Sequence, residues 1–99
     1  MAEVVWSDPA LDQLDAIAEY IALDKPRAAS RFMKKVFTTV DHLERFPESG
    51  RVPPELPGSI YRELCVNPCR IFNRCDGDRV LIIHVMRQER QLRRLLLEQ

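Results

Sequence analysis

The stretch Ile60–Met86 constrains the fold more than any other part of the chain. It reads IYRELCVNPCRIFNRCDGDRVLIIHVM, with three β-prone runs separated at Asn67-Pro68 and at Asp76-Gly77. Asp-Gly favours a two-residue hairpin loop, because Gly accepts a positive φ without steric cost and Asp tolerates one. At Asn67-Pro68 a slightly longer loop is equally compatible, since Pro fixes φ and lacks an N–H. The stretch predicts three antiparallel strands joined by two tight turns.

The segment before these strands has the pattern of one strand and two helices. Glu3–Trp6 is a short β-prone run, and Ser7 follows it as a helix N-cap. Apolar residues then recur at helical spacing in two blocks, which break at Asp24-Lys25-Pro26 and end at Phe46-Pro47. The blocks consist of Leu11, Leu14, Ile17, Ala18 and Ile21, and of Ala29, Phe32, Met33, Val36, Phe37, Val40 and Leu43. An N-terminal strand and an antiparallel helical hairpin are predicted.

Two further segments complete the predicted fold. Pro47–Ser59 is rich in proline and glycine and is predicted to be a crossing loop. Gln88–Leu97 has Leu92, Leu95 and Leu96 at helical spacing with arginines between them, which predicts a short basic C-terminal helix. We therefore expect an α+β fold, with the hairpin packed on a small, mainly antiparallel sheet, and one domain over residues 1–99.

The last predicted strand is apolar at nearly every position from Val80 to Val85. A strand of this composition has both faces covered. The helical hairpin can cover one face, whereas the ten-residue tail is short for the other. Two interpretations stay open: a partner chain covers the second face, or the run is the central strand of a small α+β domain.

Charge is unevenly distributed along the chain, although the formal net charge is zero. Residues 1–26 carry six acidic residues and one lysine, whereas residues 60–94 carry eight arginines and four acidic residues. The basic end is suited to nucleic acid or to an acidic protein segment, and ordinary solvated surface charge is the alternative.

Cysteine usage and hydropathy indicate a cytoplasmic protein. The chain has neither a long apolar run nor a signal-peptide pattern, so we expect no membrane association. Cys65, Cys69 and Cys75 lack Cys-x-x-Cys spacing and nearby paired histidines. We interpret them as reduced structural thiols, and we expect no metal and no cofactor.

Four motifs follow one another in a characteristic order. They are FPESGR from Phe46, YREL from Tyr61, PCRI from Pro68 and HVMRQER from His84. Together with the strand, hairpin and sheet, they resemble the RelE/ParE superfamily of bacterial toxins from toxin–antitoxin pairs over almost the whole chain. In the third motif the family most often has Tyr where Cys69 stands, a departure that changes packing.

The resemblance distinguishes two mechanistic branches. RelE-like toxins cleave messenger RNA in the ribosome, which requires a base, cationic groups at the phosphate and an acid for the leaving oxygen. The lysine pair, the basic strand-end residue and the tail Tyr of that branch fall on Tyr61 and Glu63, near Gln88, and on about Arg94. Only Arg70 of that centre is retained, and Glu63 would add negative charge beside the phosphate. The ParE-like branch, which poisons DNA gyrase, therefore fits better.

The resemblance implies a cognate ParD-like antitoxin as partner, in a hetero-oligomer such as a heterotetramer, and DNA gyrase as target. The ribosome with its messenger RNA is the alternative target, and a third interpretation is an antitoxin-binding co-repressor module without strong toxicity. The candidate binding residues are arginines near strand ends and in the tail, with the tail leucines: Arg51, Arg62, Arg70, Arg87, Arg90, Arg93, Arg94, Leu92, Leu95 and Leu96.

No catalytic residue is expected of a gyrase poison. For the ribonuclease alternative the candidates are Arg70, His84 and Arg87. His84 lies in an apolar strand, and a packed neutral imidazole explains it better than a catalytic base.

Overall fold

The computed structural model describes residues 1–98 and places two helices on one face of a four-stranded mixed sheet. The strands are β1 (Glu3–Trp6), β2 (Tyr61–Val66), β3 (Cys69–Asp76) and β4 (Arg79–Arg87), and the helices are α1 (Asp8–Ala22) and α2 (Pro26–Asp41). Two 3₁₀ helices cover His42–Glu44 and Arg94–Leu97. The sheet order is β1-β4-β3-β2, with β1 parallel to β4 and the other pairs antiparallel. The predicted α+β architecture is confirmed.

Both predicted turns are present as two-residue loops. Asn67-Pro68 joins β2 to β3 through a cis peptide bond, as a turn with Pro at the second loop position requires. Asp76 pairs with Arg79, so the second loop is Gly77-Asp78, one residue later than Asp76-Gly77. Gly77 has φ +64°, so the positive φ falls on the residue that accepts it without strain.

The helical hairpin forms as predicted and buries its apolar stripes against the sheet. Ser7 caps α1, because its Oγ accepts a hydrogen bond from the Ala10 N–H at 3.2 Å. Phe37 continues the apolar period of α2 but lies at the edge of the core, where its ring centroid is 5.3 Å from that of Trp6. The core between hairpin and sheet contains Ala10, Leu14, Ala18, Phe32, Val36, Val40, Leu43, Val66, Cys69, Ile71, Val80, Ile82 and Val85.

Strand β4 is a central strand of the sheet, because it lies between β1 and β3, which agrees with one of the two interpretations that its composition left open. Val80 and Val85 belong to the helix-facing core, whereas Met86 belongs to a second cluster on the opposite face. The pairing of β3 with β4 shifts by one residue between Phe72 and Asn73, so Ile83 of β4 has no residue opposite it on β3. The chain itself covers much of β4 on both sides, which supports the interpretation as a buried central strand.

The C-terminal helix is shorter than predicted. It is a 3₁₀ helix over Arg94–Leu97, and the predicted range Gln88–Leu97 is wrong for residues 88–93. The reason is that other parts of the fold bond this backbone: the Leu92 N–H donates to Glu55 at 3.0 Å, and the Arg90 carbonyl accepts from Arg70 at 3.3 Å. These bonds replace the local ones that a helix would form.

The predicted docking stripe of Leu92, Leu95 and Leu96 needs a matching correction. Leu92 is buried, and Leu96 is partly buried, but Leu95 is 70% exposed. Leu97 is buried in its place, because the extended segment before Arg94 changes which side chains face the sheet. The second cluster therefore joins the tail to Tyr61, Phe72, Met86 and Leu56.

Within residues 1–98, each helix falls short of the length or apolarity needed to span a bilayer.

Candidate functional site

A buried ion network lies under the C-terminal tail, on the sheet face that the helices do not cover. At its centre is Arg70, which is 6% exposed. Its Nε donates to Glu63 at 3.1 Å, and its two Nη atoms donate to Glu55, each at 2.7 Å. Nη2 also donates to Glu63, and Nη1 to the Arg90 carbonyl. All five N–H donors of Arg70 are therefore engaged within the chain.

Glu63 connects this network to the crossing loop. Its second carboxylate oxygen accepts from Arg51 Nε at 2.7 Å and Nη2 at 2.6 Å. The backbones of Arg51 and Glu63 also exchange two hydrogen bonds, of 3.1 and 2.7 Å. Gly50 permits this close approach, because a Cβ there would lie 2.9 Å from the Glu63 carbonyl oxygen. Three of the four sequence motifs thus meet at one carboxylate.

The network perturbs the ionisation of its members. Hydrogen bonding from Arg70 lowers the pKa of Glu55 to about 2, and Glu55 in turn raises the pKa of Arg70. Hydrogen bonding to Glu63 raises the pKa of Arg51. Glu55, Arg70 and Arg51 are therefore charged at neutral pH, and the hydrogen bonds between Arg70 and Glu55 are charge-assisted.

Glu55 is the residue of this site that sequence reasoning missed. It lies in the proline-rich loop, and it links Arg70 to the Leu92 N–H of the tail. A single acidic residue in a loop carries no spacing signal that would identify it. The loop packs beneath the tail, and this placement brings Glu55 to Arg70.

The other candidate arginines differ in how freely they can meet a partner. Arg62 donates from Nη1 to the Gly50 carbonyl at 3.0 Å, and Arg87 pairs with Glu89 at 2.8 Å. The exposed candidates are Arg90, Arg93 and Arg94 in the tail. Only weak contacts restrain Arg94, whose Cζ lies 6.0 Å from the centroid of the Tyr61 ring.

The exposed tail arginines flank an exposed leucine. Leu95 lies in the same 3₁₀ helix as Arg94, while Leu92 and Leu97 anchor this segment in the second cluster. The tail therefore presents one apolar side chain and three guanidinium groups to solvent from an anchored backbone. Such a mixture of apolar and cationic groups is typical of protein-binding surfaces.

A second surface, which the sequence did not predict, surrounds Tyr20 on α1. Tyr20 is 68% exposed, and Arg87 lies over its ring at 5.8 Å. The two side chains border an open cleft of about 440 Å³ that Ala16, Ile17 and Glu89 also line. Tyr20 lies outside the apolar period of α1, and an aromatic residue at such a position is the sequence feature that could have indicated an exposed contact surface.

The three ribonuclease candidates do not converge. Arg70 and His84 lie on the tail-covered face, with Phe72 between them: the Phe72 ring centroid is 5.0 Å from Arg70 Cζ and 6.1 Å from that of His84. Arg87 lies opposite Cys69 in the pairing of β3 with β4, and its guanidinium contacts Tyr20 of α1 on the helix-covered side. Burial, with a smaller effect of Arg90, lowers the pKa of His84, which supports the neutral imidazole expected from the sequence.

All three cysteines are free, as predicted. Burial raises the pKa of Cys69 to about 11, and burial also raises that of Cys65. The thiols of Cys65 and Cys69 are therefore protonated at neutral pH and are poor nucleophiles. Within residues 1–98, no three His, Cys, Asp or Glu side chains converge in an arrangement that could hold a metal ion.

Comparison with known proteins agrees with this fold and these motifs. A family model described as the ParE toxin of the type II toxin–antitoxin system parDE matches residues 4–92. Toxin RelE2 from Caulobacter vibrioides is 37% identical over 87 residues, which cover 88% of this chain and 92% of that protein. A structure of the chromosomal ParDE TA system from P. aeruginosa matches with a TM-score of 0.75 at 25% identity, covering 90% of this chain and 98% of that chain. The chain therefore belongs to the ParE family of toxins from type II toxin–antitoxin systems.

Proposed function

We propose that this toxin acts on DNA gyrase in the cytoplasm, does not cleave messenger RNA, and is neutralised by a ParD-like antitoxin. The observation that carries the proposal concerns Arg70, the one residue that matches the RelE-like cleavage centre: every N–H donor of its guanidinium is already bonded within the chain. Its five donors are bonded to Glu55, Glu63 and the Arg90 carbonyl. A guanidinium in this state has no donor left for a scissile phosphate.

The neighbouring positions strengthen this proposal. Glu63 stands where the RelE-like branch has a lysine, and both of its carboxylate oxygens are already bonded to arginines. Tyr61, at the other lysine position, is buried under the tail. An RNA backbone that reached this face would have to displace the tail and approach a buried carboxylate, which both sterics and charge oppose.

The exposed side of the tail is our proposed contact for the target or the antitoxin. Arg90, Arg93 and Arg94 supply charge there, and Leu95 supplies an apolar anchor. A complex that uses both should weaken only partly as salt rises, because salt screens exposed charges and leaves apolar burial intact. Complete dissociation of a purified toxin–antitoxin complex at roughly 1 M salt would contradict an apolar contribution.

Two parallel assays test the proposed target. Purified toxin is added to gyrase with relaxed plasmid and, separately, to a translation extract with a defined message whose cleavage is mapped by primer extension. We expect loss of supercoiling in the first assay and an intact message in the second. Codon-specific cuts in ribosome-bound message, with supercoiling unaffected, would assign the toxin to the ribonuclease branch.

A further inference from the structure

Helix α2 carries a row of exposed cations on the side that faces away from the sheet. The α2 basic stripe consists of Arg27, Arg31, Lys34 and Lys35, all of them exposed. Their spacing of four, three and one residues aligns them on one face of a helix. Between Pro26 and Val40 the chain has no acidic residue, and Asp41 at the C-terminal end is the only acidic residue of this helix, so α2 keeps a net positive charge.

The stripe does not stabilise the helix that carries it. No salt bridge within residues 1–98 involves any of its four members. Arg27 and Arg31, and Arg31 and Lys35, are like-charged pairs at i,i+4, an arrangement that is destabilising. Arg27 also lies in the first helical turn, where the helix dipole disfavours a cation.

The neighbouring helix does not neutralise the stripe either. The exposed face of α1 is acidic, with Asp8, Asp12, Asp15 and Glu19. The two helices pack against each other, yet no ion pair within residues 1–98 joins them. The hairpin therefore presents two separate stripes of opposite sign.

The chemistry of the α2 basic stripe favours a polyanion over a protein partner. The exposed neighbours on this face are Ser30, Thr38 and, at the C-terminal end, Asp41, and no large apolar side chain stands among the four cations. Protein interfaces derive much of their affinity from buried apolar and aromatic anchors. Binding to a nucleic-acid backbone depends instead on lysine, arginine and hydroxyl contacts to phosphate.

We propose that the α2 basic stripe binds the phosphate backbone of double-stranded DNA without sequence preference. From Arg27 to Lys35 the helix rises about 12 Å, the length of three to four base pairs. The stripe and the tail lie on opposite faces of the sheet, so DNA on α2 leaves the tail free for a protein. This property goes beyond the proposed gyrase target and does not depend on it.

Fluorescence anisotropy with a labelled 20-base-pair duplex, the full-length toxin and no gyrase tests this proposal. Two variants remove three charges each: R31Q/K34Q/K35Q in the stripe and the control R90Q/R93Q/R94Q in the tail. We expect wild-type binding at low salt that weakens steeply as salt rises. The stripe variant should lose at least tenfold in affinity, and its salt slope should fall by about 2.7, at about 0.9 per phosphate contact. The tail variant should stay within about threefold of wild type.

Other results would overturn the proposal in distinguishable ways. Equal losses in both variants would mean that only net charge matters, and a loss confined to the tail variant would move the DNA contact there. Binding of a labelled poly-glutamate peptide, with none of the duplex, would assign the stripe to an acidic protein. Thermal melts of both variants show whether folding is intact. Because gyrase is absent, failure here leaves the gyrase proposal standing.

Discussion

The two faces of the sheet are held by different physical forces. The helix-covered face is a continuous apolar core in which Leu14, Val36 and Ile71 are fully buried. The tail-covered face combines a smaller apolar cluster with the ion network of Arg70 and Glu63. Apolar burial is indifferent to pH and degrades gradually as side chains shrink, whereas an ion network depends on every partner being present and charged. The stability of the tail-covered face therefore depends on the charge of its residues, whereas that of the helix-covered face does not.

The tail-covered face also positions the tail that we propose as the partner-binding surface. Arg70 reaches the tail through Glu55 and through the Arg90 carbonyl. A change in the network should therefore alter the tail before it alters the helical hairpin. The following predictions test this contrast, from the largest expected effect to the smallest.

Replacing Arg70 by Ala should destabilise the protein by about 3–5 kcal/mol at neutral pH, because it leaves Glu55 without its cation and one oxygen of the buried Glu63 carboxylate without a donor. Leu14→Ala should cost about 2–5 kcal/mol through a cavity on the other face. Urea unfolding measures both changes. The gap between the Arg70 variant and wild type should narrow as the pH falls from about 4.5 to 2, because wild type loses its Glu55–Arg70 pair over that range, while the gap of the Leu14 variant should not narrow in this way. An Arg70→Ala cost below 1 kcal/mol would mean that the network contributes little.

Replacing Leu92 by Ala should cost about 2–5 kcal/mol, because this side chain is buried between tail and sheet. Leu95→Ala removes the same atoms from a side chain that is 70% exposed and should cost less than about 0.5 kcal/mol. Thermal unfolding of the pair provides a matched comparison within one segment. Equal losses would contradict the tail conformation described here.

The pH dependence of stability should depend on Glu55. Its folded pKa of about 2 lies below the ordinary value of 4.5, so its pairing with Arg70 stabilises the fold above pH 4.5. That stabilisation is lost as the pH falls from about 4.5 to 2. Glu55→Gln should cost roughly 1.5–3 kcal/mol at pH 7, and the gap to wild type should narrow across this window. Melting temperatures measured from pH 7 to pH 2 check this; a constant gap would exclude Glu55 as the titrating group.

Replacing Arg90, Arg93 and Arg94 together by Gln should cost less than about 1 kcal/mol, since exposed charges contribute little to folding and Gln has similar helix propensity. The same variant should lose toxicity in a growth-arrest assay if the tail contacts the target. A variant that melts normally and stays fully toxic would show that the tail arginines are ordinary solvated charge. The search for the target surface would then move to Arg62 and the proline-rich loop.

Local rules in the sequence predicted most of the secondary structure. The Ser7 cap, the break at Pro26 and the turns at Asn67-Pro68 and Gly77 follow from the backbone preferences of single residues, which act within a few positions. The spacing of apolar residues predicted which helix faces are buried. The order of four motifs was sufficient to indicate the toxin family, because each motif is readable without knowing its neighbours in space.

Only the tertiary structure decided how the tail and the arginines are used. Arg70 binds acidic residues 7 and 15 positions away and a carbonyl 20 positions away. No periodicity connects these positions, and a loop acid such as Glu55 carries no local signal. The same contacts engage backbone groups that a longer C-terminal helix would have bonded to each other. The shorter helix that results buries Leu97 and exposes Leu95. Periodicity assumes that a segment bonds to itself, and it fails where the backbone bonds to distant side chains instead.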